Sequence, residues 1–154
     1  MTEQFETGGS TLSRGQVNFV RLTGLAAIIG GILMVVVAII AWTAVTTQLS
    51  AENITIPDDA ACCAGQQVNG PIGAYVQADI INHHALEAAD GKTYAELEQD
   101  DPVRATVADA SFLRASLFTS VVAYGVALMA AGVGLLFVLI GWALRIVVRP
   151  IPKD

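Results

Sequence analysis

Thirty consecutive residues, Ala115 to Leu144, carry no charge, and this run narrows what the chain can fold into more than any other feature. A bilayer core needs about 20 apolar residues in a helix, so the run is long enough to cross a membrane. Its entry carries helix-start chemistry. Asp101 is placed to cap, Pro102 to take the first helical position, and Asp109 still lies near the N-terminal end. Val103, Val107, Ala110 and Leu117 then recur at three, four or seven residues, as on one face of a helix. No breaker follows before Pro150. A continuous helix from Pro102 to Val147 would be roughly 70 Å long at about 1.5 Å per residue. A second run, Leu22 to Ala51, is equally free of charge. It is too long for a secretory signal, whose apolar core is about 7–15 residues, and reads as an uncleaved anchor.

Composition agrees. Charged residues make up 14% of the chain and hydrophobic ones 54%, where soluble domains carry nearer 25% charged. The net charge of -6 matters less than its placement. Between Glu52 and Arg114 eleven acidic residues face three basic ones, a balance of -8. Arg14 and Arg21 precede the first apolar run; Arg145, Arg149 and Lys153 follow the second. The positive-inside rule then predicts a multi-pass protein of the cytoplasmic membrane, with membrane lipids as its first partner. Residues 1–12 and 149–154 become cytoplasmic tails, 13–51 the first transmembrane helix, 52–101 an acidic extracytoplasmic loop, and 102–148 a long helix holding the second span. No basic patch exists on which phosphate contacts to a nucleic acid could be built.

The expected fold is all-α: an antiparallel two-helix transmembrane hairpin with a small helical extracytoplasmic loop domain. Ser13 and Gln16 form a capping box, with Leu12 and Val17 placed as a hydrophobic staple. Each span carries small residues at three-four spacing. They are Gly24, Ala27, Gly31, Met34, Ala38 and Ala41 in the first, and Ala123, Ala127, Ala130, Gly134, Phe137 and Gly141 in the second. Helices in lipid associate where small side chains let backbones approach, so these stripes are expected to face each other. The loop starts extended at Ile54–Ile56 and is rich in turns from Asp58 to Pro71. Pro71 opens a helix predicted to reach Ala89, with Gly91 as its stop. Thr93 and Glu96 form a second capping box, predicting a short helix that ends near Asp100.

Few residues invite chemistry. Asp79, His83 and Glu87 follow at four-residue steps, on the same expected face as Ile72, Tyr75, Val76, Ile80 and Leu86. A salt-bridged column, a metal site and proton handling are all open to them. His83 and His84 point about 100° apart on a helix, a poor start for a metal site. Cys62 and Cys63 are adjacent, and a disulfide between neighbours closes a strained, easily reduced ring. Both thiolates with His83 or His84 would make a soft-metal site, yet the usual zinc spacing of two to four residues is missing. These four are the weak metal candidates. The sequence contains no phosphate loop, no nucleophile elbow and no CxxCH, so neither catalytic residues nor a resident cofactor are expected.

The loop and the entry to the second span resemble a known family. The shared run is Asp59-Ala60, Ala64-Gly65, Val68-Asn69-Gly70-Pro71, Gln77-Ala78-Asp79-Ile80, His84-Ala85-Leu86, Gly91 to Leu97, Asp101-Pro102 and Ala110 to Phe118. It is similar to small actinobacterial two-span membrane proteins, some labelled aromatic ring-opening dioxygenase. These in turn resemble accessory subunits of the respiratory supercomplex that joins cytochrome bcc to cytochrome c oxidase. The likeness covers about Ile54 to Val126. It implies a non-catalytic subunit that binds and stabilises that supercomplex, with subunits of both complexes as partners. A dioxygenase would need two histidines and a carboxylate around iron, which two adjacent histidines serve badly. The competing expectation is a periplasmic thiol or copper-handling factor for oxidase assembly. On the accessory reading Tyr75, Val76, Ile80, Leu86 and Phe112 are the candidate partner contacts. Gly24, Ala27, Gly31, Ala127, Ala130 and Gly134 are the candidate helix-packing residues. The acidic loop would also suit a basic cytochrome c domain, by steering that fades with salt.

Overall fold

Among the described residues three helices form, and local chemistry marks their ends. A computed structural model describes residues 13–148. The two expected tails, and Leu12 of the expected staple, lie outside the described residues. Helix α1 spans Arg14–Ala51. Its capping box closes both ways: the Ser13 N–H donates to Gln16 Oε1 at 2.8 Å, and the Gln16 N–H donates to Ser13 Oγ at 3.3 Å. It ends where Asn53 turns left-handed at φ 52, with its side-chain amide donating to the Ala51 carbonyl. Asn is among the few residues that enter that region cheaply.

The chain then makes a short two-armed excursion. The Val68 N–H donates to the Ile54 carbonyl at 2.8 Å and the Ile56 N–H to the Gln66 carbonyl at 2.9 Å. This single antiparallel bridge at Thr55 and Gln67 does not extend into a strand. Helix α2 spans Pro71–Ala88, one residue shorter than expected. The predicted stop holds: Gly91 adopts φ 81 and its N–H donates to the Leu86 carbonyl at 2.8 Å.

The short helix expected from Thr93 does not form, and only a turn follows. Glu96 accepts from the Thr93 N–H and from Thr93 Oγ1, each at 2.8 Å, so the hydroxyl is spent on the carboxylate instead of a backbone N–H. Arg104 Nη1 donates to the carbonyls of Tyr94 and Leu97, and its guanidinium lies 4.2 Å above the Tyr94 ring. The turn is thus held from outside rather than continued. Helix α3 spans Arg104–Val147. Asp101 Oδ1 does accept from the Val103 N–H at 2.9 Å, so the expected cap is present. The regular helix starts two residues later than Pro102.

The chain divides into two compact units. The first comprises α1 up to Val35 and α3 from Gly132. Here glycine meets glycine: Gly24 lies against Gly141 and Gly31 against Gly134, in antiparallel order. A Cβ on Gly24 would sit 2.8 Å from the Gly141 carbonyl oxygen, and one on Gly134 would sit 2.7 Å from that of Gly31. Neither distance is tolerable, so glycine is required at these positions.

The second unit runs from Val36 to Ala131. Leu49 of α1, Ile56 and Val68 of the excursion, Ala74, Val76 and Ala78 of α2, and Leu117 and Tyr124 of α3 share one core. A smaller cluster joins Ala89, Leu97 and Val107, with Val103 beside it. The lead-in face expected from Val103, Val107 and Leu117 is therefore inward. The expected stripes need correction at two places. Ala41 and Phe137 are exposed, while Val45 and Val138 are half-buried. Of the remaining packing candidates, Gly24, Gly31, Ala127 and Gly134 are buried and Ala27 and Ala130 half-buried.

Outward, α1 and α3 present Ile29, Leu33, Ile40, Leu128, Leu136 and Ile140, each roughly half exposed or more. Both helices are long and apolar enough to cross a membrane.

Candidate functional site

The chemistry-bearing side chains all lie in the second unit, on the excursion and on the outer face of α2. His84 Nε2 lies 2.6 Å from Asp59 Oδ2, which ties the excursion to the helix. That contact holds the Asp59 carboxyl below its ordinary value, chiefly through the His84 hydrogen bond. One residue earlier, His83 Nε2 lies 3.3 Å from Glu87 Oε1, a four-residue helical pair. The expected column is therefore incomplete. His83 pairs with Glu87, Asp79 joins no ion pair among the described residues, and His84 turns instead to Asp59.

Cys62 is exposed and Cys63 half-buried, and both are free thiols. Cys63 sits at φ 64 and packs against the main core. Its hydrogen bond to the Cys62 thiol pushes the latter's pKa up. A raised pKa keeps the sulfur protonated, and the thiol is the weaker nucleophile and ligand. Among the described residues no three His, Cys, Asp or Glu side chains gather closely enough to hold a metal ion. His83, His84, Cys62 and Cys63 are thus not drawn into one donor set.

The expected partner contacts divide. Val76 and Ile80 are buried within the chain, so they cannot serve as surface contacts. Helix α2 packs inward through small residues: Ala74 and Ala78 are fully buried, and Gly73 approaches the Val68 backbone. Close approach turns Val76 and Ile80 in and leaves Tyr75 out. Leu86 is half-buried and lines a cavity of about 80 Å³ with Asn82, Thr93, Tyr94 and Arg114. Tyr75 and Phe112 are exposed, Phe112 at 74%. Tyr75 meets Phe118 edge-on at 5.8 Å, and the Arg114 guanidinium lies 5.3 Å from the same Phe118 ring. An aromatic and cationic surface of this kind is rich in residues favoured at protein interfaces.

One residue central to this unit escaped the sequence reading. Tyr124 is 1% exposed. Its hydroxyl lies 2.8 Å from Thr46 Oγ1 and donates to the Asn69 carbonyl at 3.3 Å, linking both long helices to the excursion. A hydroxyl within a mostly apolar run was the available signal, because a buried hydroxyl needs a partner. No family model, curated protein or solved structure matches the chain.

Proposed function

We propose that the chain is a non-catalytic accessory subunit of the cytoplasmic membrane. On this reading α1 and α3 cross as a hairpin, both ends are cytoplasmic, and the 52–101 segment forms a small extracytoplasmic domain. Its partners are the cytochrome bcc and cytochrome c oxidase subunits of a respiratory supercomplex. The observation that carries the reading is the exposed side chains of Tyr75, Arg114 and Phe112, with half-buried Phe118 in contact with the first two, on a chain with two long apolar helices. Such a surface fits contact with protein. The segment resembling respiratory accessory subunits, Ile54 to Val126, includes all four residues. The arginines flanking the charge-free runs support the orientation.

The test is purification of the tagged chain in mild detergent, read by haem spectra and oxidase copper content. The parent and the Cys62→Ser/Cys63→Ser variant should both carry bcc and oxidase haems, with copper intact. Tyr75→Ala/Phe112→Ala should lose much of that yield. Copper loss in the cysteine variant would support the assembly factor. A preparation free of haem would sink the supercomplex reading.

A further inference from the structure

We infer that, on the loop side, the bilayer's hydrocarbon ends at the level of Trp42 and Tyr124, well short of the first charges. The inference rests on the membrane-spanning reading above and sharpens it. Each charge-free run, Leu22 to Ala51 and Ala115 to Leu144, is thirty residues. At about 1.5 Å per residue each is roughly 45 Å long, against a hydrocarbon core of about 30 Å. About ten residues of each helix must therefore lie outside it.

Polar side chains show which end. On α1, Thr43, Thr46, Thr47, Gln48 and Ser50 all follow Trp42, and none lies between Gly24 and Ala41. On α3, Ser116, Thr119 and Ser120 precede Tyr124, and only Trp142 carries a polar atom from Gly125 to Leu144.

The loop backbone gives a second, independent marker. The Asn69 carbonyl accepts from Tyr124, and Val68 is buried in one core with Leu49, Leu117 and Tyr124. Gln66, Gln67 and Asn69 beside them are exposed. Irregular backbone exposed to lipid does not occur within hydrocarbon, so the level of Tyr124 marks its edge. The Trp42 and Tyr124 rings meet edge-on at 4.6 Å, and these two residue types favour that interface.

The far edge follows by counting about 20 residues along each helix separately. From Trp42 the count reaches Leu22, whose neighbour is Arg21; from Tyr124 it reaches Leu144, whose neighbour is Arg145. Two independent counts thus stop at the last apolar residue before an arginine. Thr43 to Ala51 and Arg104 to Ala123 accordingly face headgroups and water, not acyl chains.

The test uses the full chain, with Cys62→Ser and Cys63→Ser, in phosphatidylcholine vesicles. Single cysteines at the exposed positions Thr47, Thr119, Leu128 and Leu136 carry spin labels. The ratio of oxygen to nickel-chelate accessibility should be several-fold higher at Leu128 and Leu136 than at Thr47 and Thr119. Equal, lipid-like ratios at all four would overturn the boundary while leaving the membrane reading standing. Water-like ratios at all four would overturn both. A label-free measurement guards against a misfolded variant. In Trp142→Phe, Trp42 fluorescence should be quenched more by lipids brominated near the carbonyl than near the chain end, and the reverse order would overturn the boundary.

Discussion

The two units of this molecule solve the same packing problem with opposite means. In the first, Gly24, Gly31, Gly134 and Gly141 bring backbone against backbone. In the second, bulky Leu49, Val68, Leu117 and Tyr124 fill a core, and the Tyr124 hydroxyl bridges Thr46 and Asn69. On the membrane reading proposed above, the difference follows from the solvent each unit would meet. Lipid gives helices no hydrophobic reason to associate, so close van der Waals contact must do the holding. Water rewards the burial of large side chains, at about 25 cal/mol for each Å² of apolar surface. The contrast predicts where the chain tolerates an added methyl and where it tolerates a removed hydroxyl.

The largest effect is expected in the glycine-paired unit. In Gly31→Leu the new side chain must enter the space of the Gly134 backbone and Val138. Overpacking at a site that cannot yield costs about 3 kcal/mol. Unfolding in detergent, followed by circular dichroism, should register this loss. Gly30→Ala and Gly132→Ala are the controls, because a Cβ at either position meets nothing within 4 Å. Those changes should stay within about 0.5 kcal/mol of the parent. Equal sensitivity at Gly30 and Gly31 would dissolve the comparison.

A smaller effect should appear in the second unit. Tyr124→Phe keeps the ring against Trp42 but removes the hydroxyl from Thr46 and Asn69. A lost hydrogen bond of this kind costs about 1 kcal/mol. Hydrogen exchange should quicken at Ile54–Val68 and stay unchanged at Leu25–Val35. Spread of the change into the glycine-paired segment would show that the two means of packing are not separable.

The sequence revealed those features whose signal is local. Ser13, Asp101 and Gly91 each act within five residues of themselves, and each cap or stop forms. The glycine pairs were legible because few residues besides glycine allow such approach. The same box signature failed at Thr93. Ser13 is followed by a long uninterrupted helical run, whereas Thr93 is followed within nine residues by Pro102. One turn cannot repay the cost of helix nucleation, so the side chains close on each other instead. On α2, the apolar size of Val76 and Ile80 suggested partner contacts, yet both are buried within the chain along with Ala74 and Ala78. The Asp59–His84 contact spans twenty-five residues of chain. Nothing local to either residue announces it.

The smallest expected effect separates the units by acid. Residues 13–35 and 132–148 include no Asp or Glu, so the described part of the first unit has no carboxylate side chain to protonate. The second unit has two whose pKa values are lowered on folding. Asp59 falls below 3.8, chiefly through His84, and Glu96 below 4.5, through the backbone and then the hydroxyl of Thr93. A depressed carboxylate contributes stability that is fully present above its unfolded pKa and lost as pH falls through the folded one. Both groups therefore hold their contacts at neutral pH and release them in acid, below about pH 4. Both are exposed, so solvent screening keeps the contributions small. After correction for intrinsic exchange rates, protection at Ile54–Leu97 should decline in acid while protection at Leu25–Val35 stays level. Asp59→Asn with Glu96→Gln should lower loop protection at neutral pH toward the parent's acid value and flatten its dependence on pH. A parent loop as protected in acid as at neutral pH would show that these two carboxylates bear no weight. An equal decline in both units would trace acid sensitivity to something the carboxylate-free segment shares.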